Sequence, residues 1–146
     1  MANTIYTAQA HVTGGRAEGH GRSSDGALDV QLRLPQEMGG DGSEPGTNPE
    51  QLFAVGYAAC FEGALGVVGR REKAELGDVA IDSSVSLSPN GSGGFQLSVE
   101  LAVTLPDVDD AELAKKIVAA AHEVCPYSNA TRGNIEVTLT ANGQPV

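Results

Sequence analysis

Apolar and polar positions change period several times along the chain, and each change marks an element. Residues 5–13 alternate, with Tyr6, Ala8, Ala10 and Val12 on one face and Thr7, Gln9, His11 and Thr13 on the other, the period of a half-buried strand. After a turn at Gly14-Gly15, residues 16–22 alternate small Ala17, Gly19 and Gly21 with Arg16, Glu18, His20 and Arg22, which predicts a second strand with little bulk on one face. Ser24-Asp25-Gly26 has the composition of a hairpin turn, and Leu28, Val30, Leu32 and Leu34 form the apolar face of a third strand ending at Pro35. Residues 36–47 have no period and predict a loop.

The period then becomes helical. Asn48 suits an N-cap, Pro49 the first helical position, and Gln51 the third position of a capping box. The segment that follows, through Leu52, Phe53, Val55, Tyr57, Cys60, Phe61, Leu65 and Val68, is apolar on nearly every side, so this central helix is expected to be buried on more than one face. A second hairpin follows. Val79 to Leu87 form one strand, Asn90 to Gly94 the turn, and Phe95 to Val103 the other strand. Asp107 or Asp109 is expected to open a second helix with an inward stripe of Ala114, Ile117, Val118, Ala121 and Val124, ending at an inward-facing Cys125 before Pro126. Residues 127–134 are expected to be a loop, and Ile135, Val137 and Leu139 a last strand. The order β-β-β-α-β-β-α-β predicts an α+β fold, one domain over 1–146, with no internal repeat.

Charge narrows the possible partners. With 19 acidic against 9 basic residues and a net charge of −10, the chain is a poor ligand for nucleic acid or anionic membranes. No apolar run is expected to reach the roughly 20 residues that span a bilayer, and the amino terminus lacks a signal-peptide pattern, so a cytoplasmic location is expected. Two cysteines are too few for a disulfide framework. They are either small buried hydrophobes or reactive thiols, and their surroundings must decide.

Cys60 lies in a helix with almost no polar side chains around it, where burial alone raises a thiol pKa and makes it inert. A reactive Cys60 needs a cation from elsewhere. Most basic residues sit in solvated positions; Arg16, following two glycines and flanked by small residues, has room to lie over a pocket. Glu50 is favoured by the helix dipole, but ten residues separate it from Cys60, about 15 Å along one helix axis. A partnership between the two therefore needs a second chain. Together with the all-round apolar central helix, this predicts a homodimer with shared sites. His122 and the two cysteines fall short of a zinc site, so no metal is expected. His11, His20 and His122 have no spacing that marks a Cys-His hydrolase, and no phosphate loop points to a nucleotide cofactor.

Four stretches carry a resemblance: Gly14-Gly15-Arg16, Ser24 to Leu28 (SDGAL), Thr47 to Phe61 (TNPEQLFAVGYAACF) and Val124 to Val137 (VCPYSNATRGNIEV). In this order, across nearly the whole chain, they resemble the OsmC/Ohr family and within it the organic hydroperoxide resistance proteins. The resemblance implies an OsmC-like intertwined homodimer and a thiol peroxidase in which Cys60 attacks the peroxide and Cys125 resolves it as an intramolecular disulfide. It matches the family's arginine and glutamate to Arg16 and Glu50. No bound cofactor is implied; dihydrolipoyl groups of partner proteins would reduce the disulfide. Walls formed by Leu52, Phe53 and Phe61 would favour organic hydroperoxides over hydrogen peroxide. The competing expectation is a redox sensor or binding module that uses the same disulfide without turnover, although no output element such as a helix-turn-helix is visible.

Overall fold

The computed structural model describes residues 3–146. They form two compact units, one closing at Leu52 and the other spanning Phe53–Val146.

The first unit is built on an antiparallel sheet of order β1-β2-β3, with β1 Ala10–Thr13, β2 His20–Ser23 and β3 Asp29–Gln31. Gly21 faces Val12 on one side and Val30 on the other, so the small-residue strand is the central one. Two expectations are corrected here. Residues 5–9 carry the alternation but lie outside any strand, and the second strand begins at His20 rather than Arg16. The reason for the latter is the glycines. Gly14 and Gly15 both adopt left-handed backbone, φ 75° and 66°, and residues Gly15–Glu18 coil into a single helical turn, α1. Gly19 closes that turn so tightly that a Cβ there would lie 2.0 Å from the Gly15 carbonyl oxygen. Arg16 thus projects from a helical turn. Within the expected loop, Gln36–Met38 form a 3-10 turn, and Leu32 pairs with Thr47 as an isolated bridge before the central helix starts.

That helix, α2, covers Pro49–Glu72. The Asn48 side-chain oxygen accepts the Gln51 N–H at 2.8 Å, as an N-cap should. The capping box is only half made, because the Gln51 side chain accepts instead from the Thr47 hydroxyl at 2.6 Å. Over 24 residues α2 is long and apolar enough to cross a bilayer by length and composition, contrary to the expectation that no such run exists. In this fold it serves the core. It buries Tyr57, Phe61, Ala64, Leu65 and Val68, which recur at helical spacing on one face, while Val55 is 70% exposed. Burial on more than one face is therefore not achieved by this chain alone.

The second unit sets a four-stranded sheet against the α2 stripe and a further helix. β4 (Ala80–Pro89) and β5 (Phe95–Thr104) make the expected hairpin, β6 (Val137–Ala141) runs parallel to β5, and a short β7 (Gln144–Pro145) borders β6. A parallel pair needs a crossover, which is supplied by α3 (Ala111–Val124) and α4 (Pro126–Thr131). The cap of α3 is Asp110, whose carboxylate accepts from the Glu112 and Leu113 amides, rather than Asp107 or Asp109. Residues 105–108 are held back in a turn by the Val108 N–H to Leu105 carbonyl bond, with Val108 buried, so the helix cannot start there. The expected loop after Cys125 is corrected as well. Pro126 cannot continue α3, but its fixed φ suits the first position of a new helix, and α4 begins on it. Leu101, Val103 and Leu105 from the sheet side pack with Phe61, Leu65, Ile117, Val118 and Ala121 in one apolar core.

Candidate active site

Within the first unit the structure pairs Arg16 with Glu50. The guanidinium donates to both carboxylate oxygens, at 2.8 and 3.2 Å, a bidentate fork, and its Nη1 also lies 3.8 Å from the Met38 sulfur. The Glu50 side chain is 15% exposed and Arg16 37%. The hydrogen bonds hold the Glu50 carboxyl below its ordinary value and push Arg16 up. The arrangement is a preformed cation-carboxylate pair in which the guanidinium keeps further donors free.

In the second unit Cys60 and Cys125, both free thiols, come together. Cys125 is fully buried at the junction of α3 and α4. Its N–H donates to the Ala121 carbonyl and its own carbonyl accepts from Asn129 N–H, so one residue ends one helix and caps the next. Cys60, half-buried on α2, is within hydrogen-bonding reach of Cys125. Burial pushes the Cys60 thiol up, the Tyr127 backbone N–H opposes that by favouring the thiolate, and Cys125 adds to the rise. As it stands, Cys60 favours the neutral thiol, and a cation is what it needs to become nucleophilic.

An apolar cavity of about 720 Å³ opens in the same unit, lined by Phe53, Leu87, Phe95, Leu97, Tyr127 and Ile135 among others; neither cysteine lines it, and Pro126 and Tyr127, which follow Cys125, are its nearest lining residues in the chain. Phe53 and Tyr127 meet edge to face at 5.9 Å, and each also contacts the Tyr57 ring. Of the three residues expected to wall a substrate site, Phe53 lines this cavity. Phe61 does not; its side chain points into the core with 0% exposure, about two turns further along α2, so the expected role is corrected to packing. Leu52 is half-buried on the first turn of α2 in the other unit. Sequence reasoning missed Tyr127, Ile135, Leu87 and Leu97. Tyr127 could have been found, because it follows the proline after Cys125 and a helix start there turns its ring toward α2; the strand residues carry no signal beyond alternation.

The OsmC-like protein family matches residues 40–140 of this chain. An organic hydroperoxide resistance protein of Xanthomonas axonopodis pv. citri is 58% identical over 137 residues, covering 93% of this chain and 94% of the relative. The chain belongs to the OsmC family, in its Ohr branch. Another Ohr relative, the organic hydroperoxide resistance protein OhrB of Bacillus subtilis, is 48% identical over 92% of this chain and 96% of its own length. Its crystal structure is similar to this one with a TM-score of 0.85, 47% identity, and coverage of 93% of this chain and 98% of that one. The crystal structure of an Ohr protein from Elizabethkingia anophelis gives a TM-score of 0.88 at 45% identity, covering 95% and 97%. The α+β architecture described above is therefore the OsmC-like fold.

Proposed function

We propose that this Ohr-branch chain is a thiol peroxidase that reduces organic hydroperoxides to alcohols. The observation that carries the reading is the juxtaposition of two free thiols, one half-buried and one fully buried, with an apolar cavity in the same unit lined by Pro126 and Tyr127, the residues that follow Cys125. The Cys60 thiolate attacks the distal peroxide oxygen; the O–O bond breaks, the alkoxide leaves with a proton as an alcohol, and Cys60 becomes a sulfenic acid. The Cys125 thiol then condenses with it, expelling water and forming a disulfide. An external dithiol of the dihydrolipoyl class, on a partner protein, returns both cysteines to thiols by exchange. The cycle balances as two electrons from the dithiol to one hydroperoxide, and it suits a reducing cytoplasm.

Arg16 and Glu50 complete the site from a second copy of the chain. Support comes from α2 itself: Glu50 and Cys60 are ten residues apart on one continuous helix, about 15 Å along its axis, and the face carrying Val55 is uncovered. Antiparallel packing of two such helices about a two-fold axis brings each Glu50, with its Arg16, toward the other chain's Cys60. There the guanidinium offsets the burial that otherwise keeps Cys60 neutral.

Turnover of an alkyl hydroperoxide by the purified protein tests the proposal, with dihydrolipoamide, glutathione and thioredoxin compared as reductants. The expected result is catalytic consumption with dihydrolipoamide. A single stoichiometric oxidation with no turnover under any reductant would overturn it in favour of a redox sensor.

A further inference from the structure

One polar residue interrupts the otherwise apolar buried stripe of α2. Tyr57 has no exposed surface, and its hydroxyl lies 2.8 Å from the Ser128 hydroxyl and 3.2 Å from that of Thr131, both on α4 and both buried. Ser128 is bonded in turn to His122 Nδ1 at 2.8 Å, and Thr131 donates to the Ser128 carbonyl. Burial lowers the His122 pKa and favours the neutral ring; in the tautomer protonated on Nε2, Nδ1 accepts from Ser128, whose oxygen is then free to accept from Tyr57. Every hydroxyl in the chain of bonds is satisfied. Core packing alone would be served by phenylalanine, since burying a hydroxyl is unfavourable unless it is bonded.

The position of the bond is informative. Tyr57 precedes Cys60 by three residues on α2, and Ser128 follows Cys125 by three residues on α4, so the link joins the two thiol-bearing elements one turn from each sulfur. A second feature fixes the same contact. A Cβ on Gly56 would lie 2.8 Å from the Tyr127 hydroxyl oxygen, so the Tyr127 ring rests on α2 where only glycine leaves room. We propose that Tyr57 and Ser128 are positioning residues: their buried hydroxyl link holds α4 against α2, sets Cys125 beside Cys60, and keeps the Tyr127 amide on the Cys60 sulfur. The role rests on the reading of Cys60 as the attacking thiol and Cys125 as the resolving one.

The test compares Tyr57→Phe, Ser128→Ala and Ser128→Thr with the unaltered protein, after thermal melting has shown which variants fold. One readout is the pH midpoint of Cys60 alkylation by iodoacetamide, followed by mass analysis and needing no peroxide. The other is the ratio of Cys60–Cys125 disulfide to overoxidised Cys60 after one equivalent of alkyl hydroperoxide. Tyr57→Phe and Ser128→Ala should each raise the alkylation midpoint by about half a pH unit or more, as loss of a donor to a thiolate does, and shift product from disulfide to sulfinic acid. Ser128→Thr, which keeps the hydroxyl, should restore both. Folded Tyr57→Phe or Ser128→Ala proteins with an unchanged midpoint and an unchanged product ratio would overturn the proposal, whatever their melting temperatures. If Tyr57→Phe does not fold, the two Ser128 variants decide from the α4 side. The alkylation result stands apart from turnover: a raised midpoint in a chain that reduces no hydroperoxide would defeat the peroxidase reading and leave the link standing.

Discussion

At the scale of single residues, the deciding fact is that Cys60 sits in surroundings that oppose its ionisation. Burial and the neighbouring thiol both raise its pKa, and one backbone amide opposes them. A guanidinium brought against it should lower the value. Arg16→Ala is therefore expected to raise the Cys60 alkylation midpoint in the assembled protein, and Arg16→Lys to recover it only in part, because an ammonium cannot hold a thiolate and a carboxylate in one planar fork. An unchanged midpoint in Arg16→Ala would show that another group activates the thiol. Glu50 gives a pH-dependent counterpart. Its folded pKa is depressed below 4.5 by Arg16, so the pair's contribution to stability is present above that value and is lost as pH falls through the folded one. With Arg16 more than a third exposed, solvent screening limits the effect to about 0.5 kcal/mol. In urea denaturation, Glu50→Gln should be less stable than the unaltered protein at neutral pH, and the gap should close as pH falls through the depressed Glu50 pKa.

At the scale of elements, two phenylalanines eight residues apart on α2 separate function from packing. Phe53 lines the apolar cavity and Phe61 is wholly buried. Phe53→Ala is expected to raise KM for a long-chain alkyl hydroperoxide while leaving that for hydrogen peroxide little changed, because only the former gains from apolar contact. Phe61→Ala is expected to cost about 3–5 kcal/mol in denaturation without changing that preference. Equal shifts in substrate preference from both variants would contradict the division. The α3 cap is a smaller, separable contribution: Asp110 accepts two backbone amides, and Asp110→Ala should destabilise the fold by about 1 kcal/mol with turnover unaffected.

At the scale of the whole molecule, the proposed site is divided between copies. Chains carrying Cys60→Ser and chains carrying Arg16→Ala with Glu50→Ala should each be inactive alone. Co-refolded, they should regain activity at one of two sites per heterodimer, because one site then combines intact thiols with an intact cation pair. A confirmed heterodimer without recovered activity would count against sharing. Non-reducing mass analysis after one equivalent of hydroperoxide should find an intramolecular Cys60–Cys125 disulfide, and only chain-to-chain crosslinks would contradict the proposed resolution.

What the chain's pattern determined by itself is local. Alternation at 79–87 and 95–103 specified the hairpin, the Asn48-Pro49 pair specified where α2 starts, and the stripe from Ala114 to Ala121 specified the inward face of α3, since each depends on neighbours a few residues away. Quoted motifs sufficed for the family. Tertiary structure alone decided the rest. Gly14, Gly15 and Gly19 make a helical turn of residues that alternate like a strand, because backbone conformation at glycine has no side chain to announce it. Phe53 and Phe61 are the same residue on the same helix, and only the packing of the sheet and α3 against one face separates a cavity wall from core. Tyr57, read in the sequence as one more apolar position, proves to be the polar link between the helices that carry the two thiols, because its partner lies 71 residues away.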